Sequence, residues 1–483
     1  MTSRVTASVA VALFCCISTV CRPADVISTR NRPVGHPPTS TAAVDELQRR
    51  TFQWFWDVSN PKNGLVPDRA PNPAPAPLFS SIAAVGFGLT AYGVGAERGY
   101  ITRDQAAQRT LTTLRFFLDA PKGEAASGVT GYHGFFYHFL DMDTGLRYKD
   151  VELSTIDTTL FLAGALFAQS YFDRDTPVET EIRNVAEQLY EAADWTWTQV
   201  PDGTVSMGWK PEDGFINYQW RGLDEAMILY ILALGSDTHP ISETAWPAWA
   251  KTYRWGTYYG QDHVGFAPLF GHQYSQVWID FRGIQDAYMR DRGIDYFENS
   301  RRATLAHRSY AIDNPMKWDD YGENIWGLTA CYGPVNASLT INGVPRKIVT
   351  YTARGADFTG INDDGTIAPT AAASSIAFAP EIVIPTITAM ESRYGDNLFS
   401  TYGFVDAFNP TLKDPSIHVE FGKIVSGSGW FDTSYLGIDQ GPIVAMIENH
   451  RSELIWKTMR RNPHVIRGLK RAGFTGGWLE SAK

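Results

Sequence analysis

The sequence predicts an all-α fold, an (α/α)6 toroid of two concentric helical layers with small inserted β-hairpins. Three observations carry this expectation. Helix-length stretches with helical spacing of apolar residues follow one another along most of the chain. Some are apolar all round, such as TTLFLAGALFA at 158–168 and AMILYILALG at 226–235, and a helix without a polar face has to be buried. Others, such as 177–197, gather charges on one face. Buried and half-exposed helices thus alternate, as two layers require. The rival, a stacked helical repeat, would need self-similarity at a fixed period, and none is present.

The first 22 residues read as an export signal. Arg4 is followed by Val5 to Cys21, an uncharged run of apolar and small residues that is short for a membrane span. A secreted or periplasmic location is expected, with Cys21 a candidate lipidation site and that anchor the sole membrane attachment. Cys15, Cys16 and Cys21 leave with the leader, so Cys331 has no partner for a disulfide and is expected to be a small buried hydrophobe. Residues 23–43, rich in Pro, Ser and Thr, read as a linker. A single catalytic domain is expected over 44–475.

Within that domain, helices are expected near 44–58, 79–98, 103–118, 156–172, 177–197, 222–235, 241–256, 275–292, 295–312, 374–394 and 441–459, with a weaker one at 319–331. Thr102 before RDQAAQRTL and Ser154-Thr155 before IDTTLF supply start signals, and Gly235 supplies a stop. Strand-like runs lie at 203–209 and 337–353. The second contains Asn342-Gly343, a hairpin turn signal.

Composition narrows the function. The net charge is −10 and no Lys/Arg-rich run occurs, which removes the basic footprint of a nucleic-acid binder. Aromatic residues reach 13%, with 15 Trp and 22 Tyr, enough to line a sugar-binding cleft as well as a core. GxxxxGK[ST], HExxH and GxSxG are absent, and C-x-x-C does not occur outside the leader. The near-match GVGAERG at 93–99 follows a helix rather than a strand.

Four clusters pair carboxylates with aromatic residues, as glycoside hydrolysis requires: a carboxylic acid, a carboxylate and stacking surfaces. ELSTIDT offers Glu152 and Asp157, although Ser154 and Asp157 also have the spacing of a helix cap. NYQWRGLDEAMILY offers Tyr218, Trp220 and Glu225, with apolar neighbours that would raise a carboxyl pKa. Asp224 is expected to point away. QYSQVWIDFRG and WDDYGENIWGLTA offer Trp278, Asp280, Arg282, Tyr321 and Trp326, with Asp280 and Arg282 open to a purely structural pairing. YGFVDAFN and YLGIDQGPIVAMIENHRS offer Asp406, Asp439, Gln440 and Glu448. HGFFYHFLDMDTG adds Phe135, Tyr137 and His138, with no ligand-spaced partner for a metal.

In this order, GFFYHFLD, ELSTIDT, DEAMILYILALGSDTHP, VWIDFRG, WGLTA, DGTIAP, YGFVDAFN and GIDQGPIVAMIENHRS resemble the glycoamylase-like family of glycoside hydrolases. That family includes bacterial endo-β-1,2-glucanases and enzymes that release sophorose from β-1,2-glucans. The resemblance spans about residues 45–460. It implies an (α/α)6 fold, β-1,2-glucan hydrolysis with inversion and no metal or other cofactor. By motif position it puts the general acid on Glu225, with Asp157 and Asp406 as further essential acids. The chain departs from the family pattern at Gln276, where His is common, at Leu223-Asp224, where Tyr-Ser is frequent, and at Asp237, where Pro is usual. These positions bear on substrate and chain-length preference. The residues alone leave open a transglycosylase, a hydrolase of another β-glycan and a non-catalytic glycan-binding protein. The partner expected is a β-glucan chain, and the protein is expected to be monomeric.

Overall fold

The computed structural model describes residues 42–71, 79–341 and 343–482. The predicted leader, the linker up to residue 41 and Asn342 lie outside the described residues. Residues 42 and 43, assigned to the linker, instead open the first helix, Ala42–Val58.

The fold is mostly helical. Three helices are buried on all sides: Ile82–Glu97, Thr155–Tyr171 and Met227–Gly235. Their sequences carry almost no charge, and burying each Leu, Ile or Phe contributes about 1.5–3 kcal/mol of transfer free energy. Ile82–Glu97 lies against Thr155–Tyr171 on one side and Gly437–Ser452 on the other. The first of these contacts is a backbone crossing. A Cβ on Gly86 would fall 2.1 Å from the Leu160 carbonyl oxygen, and one on Gly164 would fall 2.1 Å from that of Gly86. Glycine is required at both positions by space.

Single hydrogen bonds join the other buried helices. Ile228 N–H donates to Ser275 Oγ at 3.0 Å, linking Met227–Gly235 to Phe270–Trp278. Gln273 Nε2 donates to the Ala371 carbonyl at 2.8 Å, reaching Pro369–Ala373. Thr370 Oγ1 donates to the Asp439 carbonyl at 2.9 Å, reaching Gly437–Ser452. A second set packs outside these. Ala42–Val58 covers Gly437–Ser452 and Ile82–Glu97, Arg103–Asp119 meets Ile82–Glu97, and Pro177–Glu191 lies against Thr155–Tyr171. Tyr296–Asp313 lies against Phe270–Trp278, Pro380–Tyr394 against Pro369–Ala373, and Pro463–Arg471 against Met227–Gly235.

The expected elements are altered in several places. The 241–256 helix stops at Ala250, and Trp255–Tyr258 pairs with Gln261–Val264 across a two-residue turn. Tyr259 and Gly260 both have positive φ there, the geometry that matches hairpin twist. The 275–292 helix breaks into Phe270–Trp278 and Ala287–Arg292, the second capped by Asp286. The 319–331 segment is not helical and ends in a strand, Ala330–Tyr332. Loops between helices pair into two- and three-stranded antiparallel ladders, so strands are more numerous than the few hairpins expected. The Ala337–Ile341 and Val344–Ile348 hairpin forms where Asn342-Gly343 predicts it.

Candidate active site

A cavity of about 310 Å³ opens where several buried helices begin. Asp157 sits in the first turn of Thr155–Tyr171, and Glu225 just before Met227–Gly235. Phe270 opens Phe270–Trp278, and Asp439 lies in the first turn of Gly437–Ser452. Helix N-termini carry partial positive charge, which favours acidic side chains there.

Local chemistry sets each side chain. Ser154 caps its helix by accepting from Asp157 N–H at 3.1 Å, and its hydroxyl also meets the Asp157 carboxylate. Asp157 nonetheless lines the cavity, so it serves the cap and faces the cavity at once. Trp220 forms one wall, fixed by donation from Nε1 to Thr155 Oγ1 at 3.0 Å. Asp224 is buried and accepts from Ala226 N–H at 3.0 Å, which turns it away and leaves Glu225 facing the cavity. The Glu225 carbonyl accepts from Ser275 Oγ at 2.9 Å, tying the acid to the neighbouring helix.

The electrostatics follow from crowding acids in an enclosed space. Burial pushes Glu225 up to about 8, and the neighbouring Asp224 adds to the rise. A carboxyl in that range is protonated at neutral pH and able to donate. Burial also raises Asp68 to about 6 and Asp406 to about 6. Asp439 is pushed well above the usual carboxylate range by burial and by Asp406, its hydrogen-bond partner. Asp406 Oδ2 accepts from Tyr332 N–H at 2.8 Å. Buried Asp406 Oδ1 and Asp439 Oδ2 accept from no donor among the described residues, and Tyr274 is a second hydrogen-bond partner of Asp439.

Of the residues singled out from sequence, the cavity brings together Glu152, Asp157, Trp220, Glu225 and Asp439, with Asp406 behind Asp439. His138 lines it too, and the others do not. Trp278 is buried, stacked on Phe87 and bonded to Thr90 Oγ1 at 3.0 Å. Trp326 is buried and bonded to Thr386 Oγ1. Phe135 packs edge-on to Trp195, and Tyr137 lies under Arg147. Tyr321 donates to Asp363, and Gln440 Nε2 donates to the Phe404 carbonyl. Tyr218 is 71% exposed. Asp280 pairs with Arg282 and Arg460 beyond the C-terminal end of Phe270–Trp278. Glu448 takes both nitrogens of an Arg98 fork at the far ends of their helices. Gln276 is buried against Tyr296 and Ser300, and Asp237 pairs with Arg467, so neither of these departures touches the cavity.

Sequence reasoning missed Phe270, Tyr274, Tyr351 and Asp68, and gave His138 no role. Phe270 and Tyr274 line the cavity one turn apart on the same helix face. They continue the spacing of Trp278, so the stripe was visible but not its cleft end. Tyr351 stands 53% exposed at the mouth, on a strand paired with Ala330–Tyr332. Asp68 lies in a proline-rich loop with no local signal. Among the described residues, no group of three or more His, Cys, Asp or Glu is arranged to hold a metal ion.

Comparison with known proteins gives consistent likenesses. The family model described as "Glycoamylase: Putative glucoamylase" matches residues 217–463. A curated relative from Parabacteroides distasonis, an exo β-1,2-glucooligosaccharide sophorohydrolase acting at the non-reducing end, is 29% identical over 469 residues. The match covers 90% of this chain and 58% of that relative, so the chain spans little more than half its length. The endo-β-1,2-glucanase of Chitinophaga pinensis, solved with sophorotriose and glucose, is 30% identical with a TM-score of 0.77. The alignment covers 91% of this chain and all of that one. A Bacteroides uniformis structure described as a "putative glucoamylase" is 36% identical, with a TM-score of 0.76 over 90% of this chain and 98% of the other.

Proposed function

The chain belongs to the glycoamylase family, and from that membership we propose that it is a glycoside hydrolase cutting β-1,2-glucan in the manner of an endo-β-1,2-glucanase. One observation carries the mechanism: Glu225 lines the cavity with Trp220, and its pKa is raised enough to keep its proton at neutral pH. Glu225 protonates the glycosidic oxygen as the bond to the leaving sugar breaks. Asp157 from the cavity wall, or Asp406 through its partner Asp439, helps to activate the attacking water, which gives inversion. Trp220, Phe270, Tyr274 and Tyr351 supply apolar faces for glucosyl rings.

The wider architecture belongs to the same proposal. A single catalytic domain over 44–475 is an (α/α)6 toroid. The run of contacts and hydrogen bonds from one buried helix to the next, with an outer helix against each, supports this reading. The apolar leader supports export to the periplasm or beyond, with Cys21 as a candidate lipid anchor. The protein acts as a monomer.

The test is incubation of the purified chain with linear β-1,2-glucan beside β-1,3-, β-1,4- and α-1,4-glucans, with products resolved by size. A ladder of oligosaccharides from β-1,2-glucan alone is expected. Release of sophorose without a ladder would replace endo by exo action. Glu225→Gln should lower turnover by about 10²–10⁴-fold while the circular dichroism spectrum is unchanged. Retained turnover would move the general acid elsewhere.

A further inference from the structure

His138 lies between two of the cavity carboxyls. Its Nδ1 is 2.7 Å from Glu152 Oε1 and its Nε2 is 3.6 Å from Asp157 Oδ1. Its backbone is tied on both sides. The His138 N–H donates to the Glu152 carbonyl at 2.9 Å, and the His138 carbonyl accepts from Ile82 N–H at 3.3 Å. The ring stacks on Phe139, with centroids 4.0 Å apart. A neutral imidazole carries one N–H, so one of its nitrogens would point a lone pair at a carboxylate oxygen. An imidazolium offers a donor to each.

We propose that His138 is a positioning residue, whose imidazolium bridges the Glu152 and Asp157 carboxyl groups on the wall of the cavity that Glu225 also lines. This rests on reading the cavity as the hydrolytic site. Hydrolysis needs opposite protonation states among acids crowded into one enclosed space, and crowding alone drives them all toward the neutral form. A fixed cation on one wall separates them. The groups facing the ring are Glu152 beside the Leu153–Ser154 strand, Asp157 on its helix and Asp68 on the loop before Arg69, while Lys210 acts on Glu152 from the adjacent strand. The charge balance agrees. Burial works to strip the His138 proton, but Asp157, Glu152 and Asp68 outweigh it and lift the ring to about 9. Glu152 ends below its ordinary value, because His138 overcomes the effect of burial.

The test has two readouts. In the full chain labelled with 15N-histidine, the ring signals missing from His138→Gln belong to His138. They should show both nitrogens protonated through pH 8. A neutral ring at pH 7 overturns the proposal, whether or not β-1,2-glucan is the substrate, because this measurement needs no turnover. In the kinetic arm, His138→Gln should move the acid limb of the kcat/KM profile upward by about 1–3 pH units, the effect of losing an adjacent opposite charge. At pH 6 kcat should drop, while KM changes little. A limb that stays in place overturns the proposal even if the variant is less stable. Should the Gln variant fail to fold, Glu152→Gln should lower the midpoint of one histidine by about a unit or more. No histidine moving has the same adverse meaning.

Discussion

Glu225, Asp68 and His138 all bind a proton more tightly in the folded chain than in the unfolded one. A group with a raised folded pKa contributes stability that is complete below its unfolded value and lost as pH rises through its folded value. For Glu225 that window runs from 4.5 to about 8, for Asp68 from 3.8 to about 6, and for His138 from 6.5 to about 9. The Tm should therefore fall between pH 6.5 and pH 9, above the range where His272 and His307, lowered by burial to about 3 and about 4, contribute the opposite slope. Glu225→Gln removes one contributor, so its calorimetric Tm should decline less steeply over pH 6.5–8 than that of the parent. An unchanged slope would show that Glu225 titrates normally. Single residues also show how far sequence can be read. The competing readings of Asp157 are compatible in space, since Ser154 caps the helix while the Asp157 carboxyl faces the cavity. The tryptophans divide instead. Trp220 and Trp278 both sit among acids in sequence, and only the packing of neighbouring helices decides that one walls the cavity and the other fills the core.

At the scale of elements, fully apolar helices were the most legible feature, because continuous hydrophobicity leaves burial as the only solution. Their ends were harder to read. The 241–256 helix gives way to a hairpin because Tyr259 and Gly260 adopt positive φ, a tertiary choice that Tyr does not announce. The Gly86–Gly164 crossing escaped notice altogether, since isolated glycines in helical sequence normally only weaken the helix. It yields a firm expectation. Gly164→Ala places a methyl carbon against the Gly86 backbone, where no side chain can swing aside. Urea denaturation should show a loss of about 1–3 kcal/mol or more, despite the better helix propensity of alanine. A neutral or stabilising result would mean that the two helices can part without strain.

Over the whole molecule, acids serve different ends of the helices. The Glu225 end holds the raised carboxyls beside the His138 pair, whereas the far end holds arginine ion pairs alone among those described above. There Glu448 accepts from Arg98 and from Gln48 Nε2 at 3.0 Å, joining Gly437–Ser452 to Ile82–Glu97 and Ala42–Val58. Glu448→Ala should cost roughly 3 kcal/mol, the low end for a broken buried pair because Arg98 is partly exposed. Denaturation should reveal this loss, with kcat and KM at 25 °C unchanged. A raised KM would return Glu448 to the substrate. Sequence gave Glu448 and Glu225 similar surroundings, each an acid beside an apolar helix, and could not tell which end of the helix faces the cavity.

That polarity has a bearing on how such a protein diversifies. With the raised carboxyls at the helix starts and the Arg98 and Arg460 clasps at the helix finishes, a lineage can rework a mouth residue such as Tyr351 without loosening the fastenings. Losses incurred while exploring new linkages can be offset by tightening pairs that lie outside the cavity. Specificity and robustness can then drift on separate clocks.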